Sequence, residues 1–355
     1  MKSIAIVLSG GGIRAMVFHL GMLKFLAEKN ALERITRIST VSGGSLIVGL
    51  ILSESDLTWP SSTEFKLDVY ESIKKKLCSQ SLMWSAIRQL VYPHNWRFLL
   101  SRANLVAIAI QKQWGITAKL SDLQAVPEWS INGTTAENGK RFRFKRENIG
   151  DYSIGYAQPE DFPLASAMAV SAAFPGAIGP LVLDTTVFKW LLREWGADKD
   201  KAKQVNPIFR RIHIYDGGVY DNLGLEPYFD AGTGKPKLNI EEAILLSDAG
   251  APLKEGLSAG ILSPWRLFRV ADIMSNQSRS LRVRSFVNYL KSVPGSGGYV
   301  YIATPLEDEA STADAKLAVS FPTSLKRLDE AEFDAIAAHG YRVAKQVHEE
   351  FGAFV

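Results

Sequence analysis

The sequence predicts an α/β fold in three layers, with helices on both faces of a central, mostly parallel sheet. Three observations predict it. Short apolar runs of strand type alternate with stretches of helical periodicity from the first residues onward. The connections between them are brief and glycine-rich, as in doubly wound sheets. The chain has 355 residues and 46% hydrophobic content, enough to bury one large core.

Ile4 to Leu8 is a continuous apolar run, expected as a buried parallel strand. SGGGIRA then turns into a helix whose Val17, Leu20, Leu23, Leu26 and Ala27 recur at helical spacing. Ile35 to Val41 reads as a second strand leading to Ser42, and Leu46 to Leu52 begins the next helix. The region from Trp59 to Trp114 differs in character. Trp59, Trp84, Trp96 and Trp114, many basic residues and long helical stretches predict a helical insertion over the sheet at about 56–118. Strand pattern returns from Trp129 to Tyr152. In KRFRFKR, Phe142 and Phe144 alternate with Arg141, Arg143 and Lys145, a half-buried strand whose basic side is expected in solvent.

A helix from Leu164 to Ala173 ends at the breaker FPGAIGP. Lys189 to Asn206 is polar and charge-dense, expected as an exposed loop or short helix and the most flexible segment. Ile212 to Tyr215 and Ala243 to Leu246 read as core strands, and a helix from Asp329 to Phe351 closes the chain. There is no internal repeat and no low-complexity tract, so residues 1–355 are expected to form one domain with embellishments.

Composition excludes several classes. Charged residues at 22% and aromatics at 10% are ordinary globular values, which argues against global disorder. A single cysteine, Cys78, rules out an intrachain disulfide and fits a reducing, cytoplasmic setting. Lys74, Lys75 and Lys76 could depress the pKa of its thiol, but a structural helix cysteine is the favoured reading. The apolar part of MKSIAIVLSGGG is too short for a signal peptide, and no run approaches a membrane span. The net charge of +4 permits attraction to anionic lipid; nucleic acid is not an expected partner.

Gly10, Gly11 and Gly12 with Arg14 follow the first strand and open a helix. Formally they match the dinucleotide fingerprint, yet no acidic residue ends the second strand to hold a ribose. The alternative is an oxyanion hole, with consecutive backbone N–H groups and a helix dipole aimed at developing negative charge. A plain glycine turn remains the bland reading.

Ser42 lies in TVSGG, between an apolar strand and an apolar helix, with Gly43 and Gly44 supporting the bend. That is the context of a nucleophile elbow, although Thr40 stands where the first elbow glycine belongs. A serine there also serves as an ordinary helix cap. Asp216 ends the strand HIYD before two glycines, where a buried carboxylate could accept the proton of a serine hydroxyl. An Asx turn is its structural alternative, and Asp221, Asn222 and Gly224 read as turn residues holding the loop. Neither His19, His94 nor His213 is placed to be a triad base. His339 and His348 follow the acid but lie on a helix, so a serine–aspartate dyad is better supported.

Taken together, SGGGIRA, TVSGGSL and DGGVYDNLG, in that order and spacing, resemble the patatin-like phospholipases. FHLGMLKFLAEKN, INGTTAENGKRFRF, LASAMAVSAAFPGAIGPL and HGYRVAKQV extend the resemblance over roughly 1–55, 120–250 and 320–350. It implies a patatin-like α/β/α fold and an acyl hydrolase acting on glycerophospholipids or related acyl esters, without metal or cofactor. By position it implies Ser42 as nucleophile, Asp216 as base, and Gly10, Gly11, Gly12 and Arg14 as the oxyanion hole. Thr40 and Ala15 depart from the pattern, and the Trp-rich region lies outside it. Two other readings stay open: a soluble esterase or thioesterase using the same dyad, and a non-catalytic lipid- or nucleotide-binding module.

The Trp-rich region interleaves aromatic and aliphatic residues with Arg88, Arg97 and Arg102. It is expected as a lid packed on the core, or as an interfacial element making peripheral contact with membrane lipid.

Overall fold

A computed structural model describes residues 2–175, 178–194, 199–239, 241–253, 255–257, 263, 265–306 and 309–352. The chain begins with β1 (Ser3–Leu8), α1 (Gly12–Glu28), β2 (Ile35–Thr40) and α2 (Gly43–Glu54). A helical segment follows, with α3 (Ser62–Glu64), α4 (Tyr70–Ser79), α5 (Leu82–Arg88) and α6 (Ala103–Trp114). Next come β3 (Glu128–Thr135), β4 (Lys140–Phe144), β5 (Ile149–Asp151), β6 (Gly155–Ala157) and α7 (Leu164–Ser171). Beyond α7 lie β7 (Leu181–Asp184), β8 (Trp190–Leu192), β9 (Lys203–Val205), β10 (Arg211–Asp216) and α8 (Gly218–Asp221). A small hairpin, β11 (Phe229–Asp230) and β12 (Lys235–Pro236), precedes β13 (Glu242–Asp248) and α9 (Trp265–Ser292). The chain closes with β14 (Gly297–Tyr301), α10 (Glu309–Ser320) and α11 (Glu330–Phe351).

The central strands run parallel in the order β14-β13-β1-β2-β3, and β4, β5, β6, β8 and β9 continue the sheet antiparallel. β1 shows why the sheet needs two helical layers. Its Ile4, Ile6 and Leu8 join the large core, while Ala5 and Val7 face a second cluster with Tyr228, Phe229 and Phe286. Both faces of the strand are therefore apolar, as its unbroken hydrophobic run requires. α11 buries Phe333, Ile336, Gly340, Val343 and Val347, one face of a helix. Its start is fixed by a capping box between Asp329 and Glu332. Among the described residues no helix is long and apolar enough to cross a membrane.

β3 organises the site. β2 runs alongside its first half, with Thr40 opposite Ile131, and then stops. β4 fills the other flank from Ile131 to Thr135. β10 therefore takes the flank that β2 vacates, running antiparallel, with Ile214 opposite Thr135 and Asp216 opposite Gly133. β2 and β10 thus approach each other end to end. The sequence placed Asp216 at the end of a core strand and left its direction open; the strand runs antiparallel to β3.

Some expectations need correction. Lys189–Asn206 contributes two edge strands, β8 and β9, with Trp190 buried; residues 195–198 lie outside the described part. The basic side of β4 is not solvated. Arg141 donates to Asn132 Oδ1 at 2.7 Å, Arg143 lies over the Tyr156 ring, and Lys145 pairs with Glu128. α9 and α10, polar along most of their length, carry no apolar stripe that announces them. Burial pushes the Cys78 thiol upward, so Cys78 is a packed helix residue despite the neighbouring lysines.

Candidate active site

Ser42 occupies the turn between β2 and α2 with φ 51° and ψ −118°, a strained conformation for a residue with a Cβ. Its surroundings hold it there. The Ser42 N–H donates to both the carbonyl and the hydroxyl oxygen of Ser171, each at 3.0 Å. Gly43 and Gly44 let the bend sit close to its neighbours. A Cβ on Gly43 would lie 2.3 Å from Gly12 O, and one on Gly44 2.4 Å from Leu8 O.

Thr40 is not a defect in this elbow. Ser171 gives its only hydroxyl proton to Asn132 O at 2.8 Å, so Ser45 must donate to Ser171 Oγ, also at 2.8 Å. Thr40 in turn donates to Ser45 Oγ at 2.8 Å, and Trp129 Nε1–H donates into Thr40 Oγ1 at 2.9 Å. A one-directional chain of hydroxyls therefore runs beneath the nucleophile and ends on Asn132 O, and the Ser42 N–H donates into its last hydroxyl. Asn132 lies in the gap between β2 and β10. Its side-chain N–H groups bind Ser39 Oγ and Thr40 O at 3.0 and 2.9 Å.

Asp216 is buried and accepts a side-chain hydrogen bond from Ser42. Desolvation pushes its carboxyl pKa up to about 7, against the lowering effects of the Gly218 N–H and the Ser42 hydroxyl. The Gly218 N–H donates to Oδ1 at 2.6 Å. Thr134 Oγ1 donates to the Asp216 carbonyl at 2.8 Å, and the Asp216 N–H donates to Ala173 O at 3.2 Å. The end of β10 is thereby tied both to β3 and to the loop that follows α7.

The glycine turn adjoins this pair, for a Cβ on Gly10 would lie 3.1 Å from Ser42 Cβ. The three glycines are not equivalent. The Gly10 N–H is committed to Asn222 O at 3.0 Å, so Gly10 cannot stabilise an oxyanion through that group. The N–H groups of Gly11 and Gly12 have no acceptor among the described residues, and neither has that of Gly43, the first residue of α2. Gly12 has φ +62° and abuts Ser324 O, a position only glycine fills without strain.

Arg14 lies behind this loop. Its guanidinium donates to Phe321 O at 2.8 Å and Ala249 O at 3.2 Å, beside Gly11. It supports the loop and lends positive charge to it.

The histidines are engaged elsewhere. His19 is buried beneath the loop, its Nε2–H donating to Ser9 O at 3.0 Å and its Nδ1 accepting from Ser247 Oγ at 2.7 Å. Burial lowers its pKa to about 4, so the ring is neutral. His213 contacts Glu137, His339 donates to Ile302 O, and the rings of His94 and His348 meet Tyr92 and Phe25. Asp221 accepts three backbone N–H groups, from Leu223, Leu225 and Glu226, and so shapes the loop whose Asn222 holds Gly10.

Asn132, Ser45, Ser171 and Trp129 were missing from the sequence-based site. Their signal was slight: Ser45 and Ser171 are small polar residues in apolar helices, and Trp129 and Asn132 sit in a strand of mixed character. Among the described residues no group of three or more His, Cys, Asp and Glu side chains is arranged to hold a metal ion.

No curated protein matches the chain. Among solved structures it is similar to human GIVD cytosolic phospholipase A2, with TM-score 0.58 and 12% identity, covering 99% of this chain and 60% of that one. The same human enzyme in complex with methyl gamma-linolenyl fluorophosphonate gives TM-score 0.55 and 13% identity, covering 99% and 58%. At such identities the likeness is one of fold, and this chain spans about 60% of that enzyme's length. The model of the patatin-like phospholipase family matches residues 6–228, more than half of the chain and the whole path from β1 through the glycine turn and Ser42 to Asp216. The chain belongs to the patatin-like phospholipase family.

Proposed function

We propose that the protein is a serine acyl hydrolase that cleaves fatty-acyl esters of glycerophospholipids through a Ser42–Asp216 dyad. The observation that carries this reading is the placement of the Ser42 hydroxyl beside a buried carboxylate whose pKa is pushed up to about 7. Such a group is about half ionised at neutral pH and, once ionised, basic enough to take a proton.

In the first half-reaction Asp216 accepts the hydroxyl proton as Ser42 Oγ bonds to the acyl carbonyl carbon. Negative charge moves to the carbonyl oxygen, where the N–H groups of Gly11, Gly12 and Gly43 are available to receive it. The intermediate collapses, the alcohol oxygen leaves, and Asp216 returns the proton to it. In the second half-reaction water attacks the acyl-enzyme, Asp216 takes a water proton, and collapse releases the fatty acid while Ser42 regains its hydrogen.

The substrate class rests on family membership and on the likeness in fold to a phospholipase. A lipid substrate implies transient contact with a bilayer surface. Beyond the matched family region, β13 and β14 complete the parallel half of the sheet, which supports reading the chain as one hydrolase domain. The single cysteine supports work in a reducing compartment such as the cytoplasm.

The test is labelling with a fluorophosphonate probe together with hydrolysis of phospholipid and of a soluble acyl ester. Ser42→Ala is expected to lose labelling and both activities, and Asp216→Asn both activities. Turnover of soluble esters alone would move the substrate to small acyl esters. Wild type inert toward every ester and toward the probe would overturn the catalytic reading in favour of a binding module.

A further inference from the structure

From Ser72 to Ser121 the chain contains no aspartate or glutamate and eight lysines and arginines. Lys74, Lys76 and Lys119 pair with Asp334, Glu54 and Asp161 outside that stretch. Arg88 and Arg97 make no ion pair among the described residues.

The same stretch exposes apolar side chains that a solvated helix does not need. Trp84 is 58% exposed, Val91 76%, Trp96 56% and Leu100 89%. Trp84, Ile87, Arg88 and Val91 follow the i, i+3, i+4, i+7 spacing and share one outward side of α5 and the turn beyond it. The Trp96 Nε1–H is already bonded to Leu90 O at 2.8 Å, so its exposed ring carries no unmet donor into an apolar phase.

A polar recess opens beside this face. Ser85, Arg88, Gln89, Tyr92, Lys112 and Gln113 line a cavity of about 150 Å³ that holds two cations and no carboxylate. Lys112 is steered by Gln89 Oε1 at 3.0 Å and lies over the Tyr92 ring. At its far end the face meets the loop after α7, which borders the proposed site and forms its mouth in this reading. Ser101 Oγ donates to Pro180 O, in the loop after α7 that also holds exposed Phe174 and the Ala173 carbonyl bound by Asp216.

We propose that this face docks on an anionic lipid bilayer. The side chains of Trp84, Val91, Trp96 and Leu100 enter the interface, and Arg88 with Lys112 receives a lipid headgroup phosphate. This rests on the lipid acyl hydrolase reading and deepens it by naming the surface and the lipid charge. Charge decides the occupant: a cationic, acid-free face with interfacial tryptophans complements anionic lipid. Its continuity with the mouth sets a docked bilayer where the substrate is needed.

The experiment is flotation of the Ser42→Ala protein with phosphatidylcholine vesicles, with and without added phosphatidylglycerol, beside soluble-ester turnover by otherwise wild-type protein. Flotation is expected only with the anionic lipid, and raised salt should weaken it. Trp84→Ser with Trp96→Ser, and separately Arg88→Glu with Lys112→Glu, should each weaken flotation about tenfold or more. Both variants should keep the thermal midpoint and soluble-ester turnover of the parent. Flotation unchanged in both variants overturns the proposal, as does failure of the Ser42→Ala protein to float while the protein with Ser42 intact turns over soluble esters. A concentration-dependent dimer that the Trp84→Ser/Trp96→Ser variant dissolves, with no flotation, also overturns it and assigns the face to a second copy. Flotation without any ester turnover would leave the docking surface standing and remove the catalytic reading.

Discussion

Trp129 Nε1–H donates to Thr40 Oγ1 at 2.9 Å, at the one position where the elbow sequence lacks its expected glycine. The threonine hydroxyl is the entry to the polar chain that pins the Ser42 N–H through Ser45 and Ser171. Thr40→Val keeps the shape and removes the hydroxyl, leaving the buried indole N–H unpartnered. The expected cost is about 1–3 kcal/mol in stability. Turnover should fall about tenfold with KM unchanged, because the nucleophile and not the substrate pocket is disturbed. Thr40→Ser should restore turnover. Denaturant melts and steady-state kinetics on the three proteins check this, and equal kcat in all three would refute a positioning role.

The Asp216 carboxyl, raised to about 7 by burial, must be ionised to accept the Ser42 proton. The kcat/KM for a soluble ester should therefore rise with pH and level off above a midpoint near 7. A flat profile between pH 5 and 9 would show that another group limits the reaction.

The same residue carries a stability consequence of unusual sign. An unfolded aspartate titrates near 3.8, so between that value and about 7 the native state binds the extra proton. Stability should decrease as pH rises through this window, and the full penalty, on the order of a few kcal/mol at most, applies above pH 7. Asp216→Asn should then raise the thermal midpoint at pH 8 while leaving it nearly unchanged at pH 4. Activity is lost at both. Identical shifts at the two pH values would show that the carboxylate is not destabilising.

Gly10 serves by absence of a side chain, since its N–H is occupied by Asn222. A Cβ there would lie 2.3 Å from Asn222 Oδ1 and 3.1 Å from Ser42 Cβ. Gly10→Ala should lower kcat/KM about a hundredfold and slow fluorophosphonate labelling by a similar factor, through displacement of the nucleophile. Wild-type labelling rates in this variant would argue against that close approach.

His19 is buried and neutral, with its pKa lowered to about 4 against 6.5 for a free imidazole. Here the unfolded chain binds the extra proton, so the contribution to stability is complete above pH 6.5 and is lost as pH falls toward 4. His19→Gln should flatten the acid side of the stability profile, read from thermal midpoints across that range.

The parallel half of the fold was legible because it depends on local signals. β1 is a nearly unbroken apolar run, and both β1 and β2 are followed by a glycine turn that opens a helix. That Ser42 and Asp216 would lie at the same edge of the sheet was legible for the same reason, since Asp216 ends a strand and Ser42 follows the end of another. The antiparallel direction of β10 was not, because a short apolar strand has the same residue pattern whichever way it runs. Nor were Asn132 and Ser171 evident. Each is one of several polar residues in its segment and takes its role only from partners that the fold brings in from distant sequence, here Thr40 and Ser42. The division of labour among Gly10, Gly11 and Gly12 was hidden as well, because it depends on the carbonyl of Asn222.

β3 acts as a ruler for catalysis. Thr40 aligns with Ile131 and Asp216 with Gly133, so two residues of one strand, about 7 Å, set the spacing between the end of β2, which leads to Ser42, and the end of β10. The long excursions from Ser42 to β3 and from β3 to β10 lie outside that measure. Either can grow, shrink or change its surface without resetting the distance at which the proton moves. A slip of one residue along β3 would shift the carboxylate by about 3 Å and turn it to the other face. The chain therefore joins a chemistry sensitive to register with two stretches indifferent to length, and the helical stretch that meets lipid in our proposal is one of them.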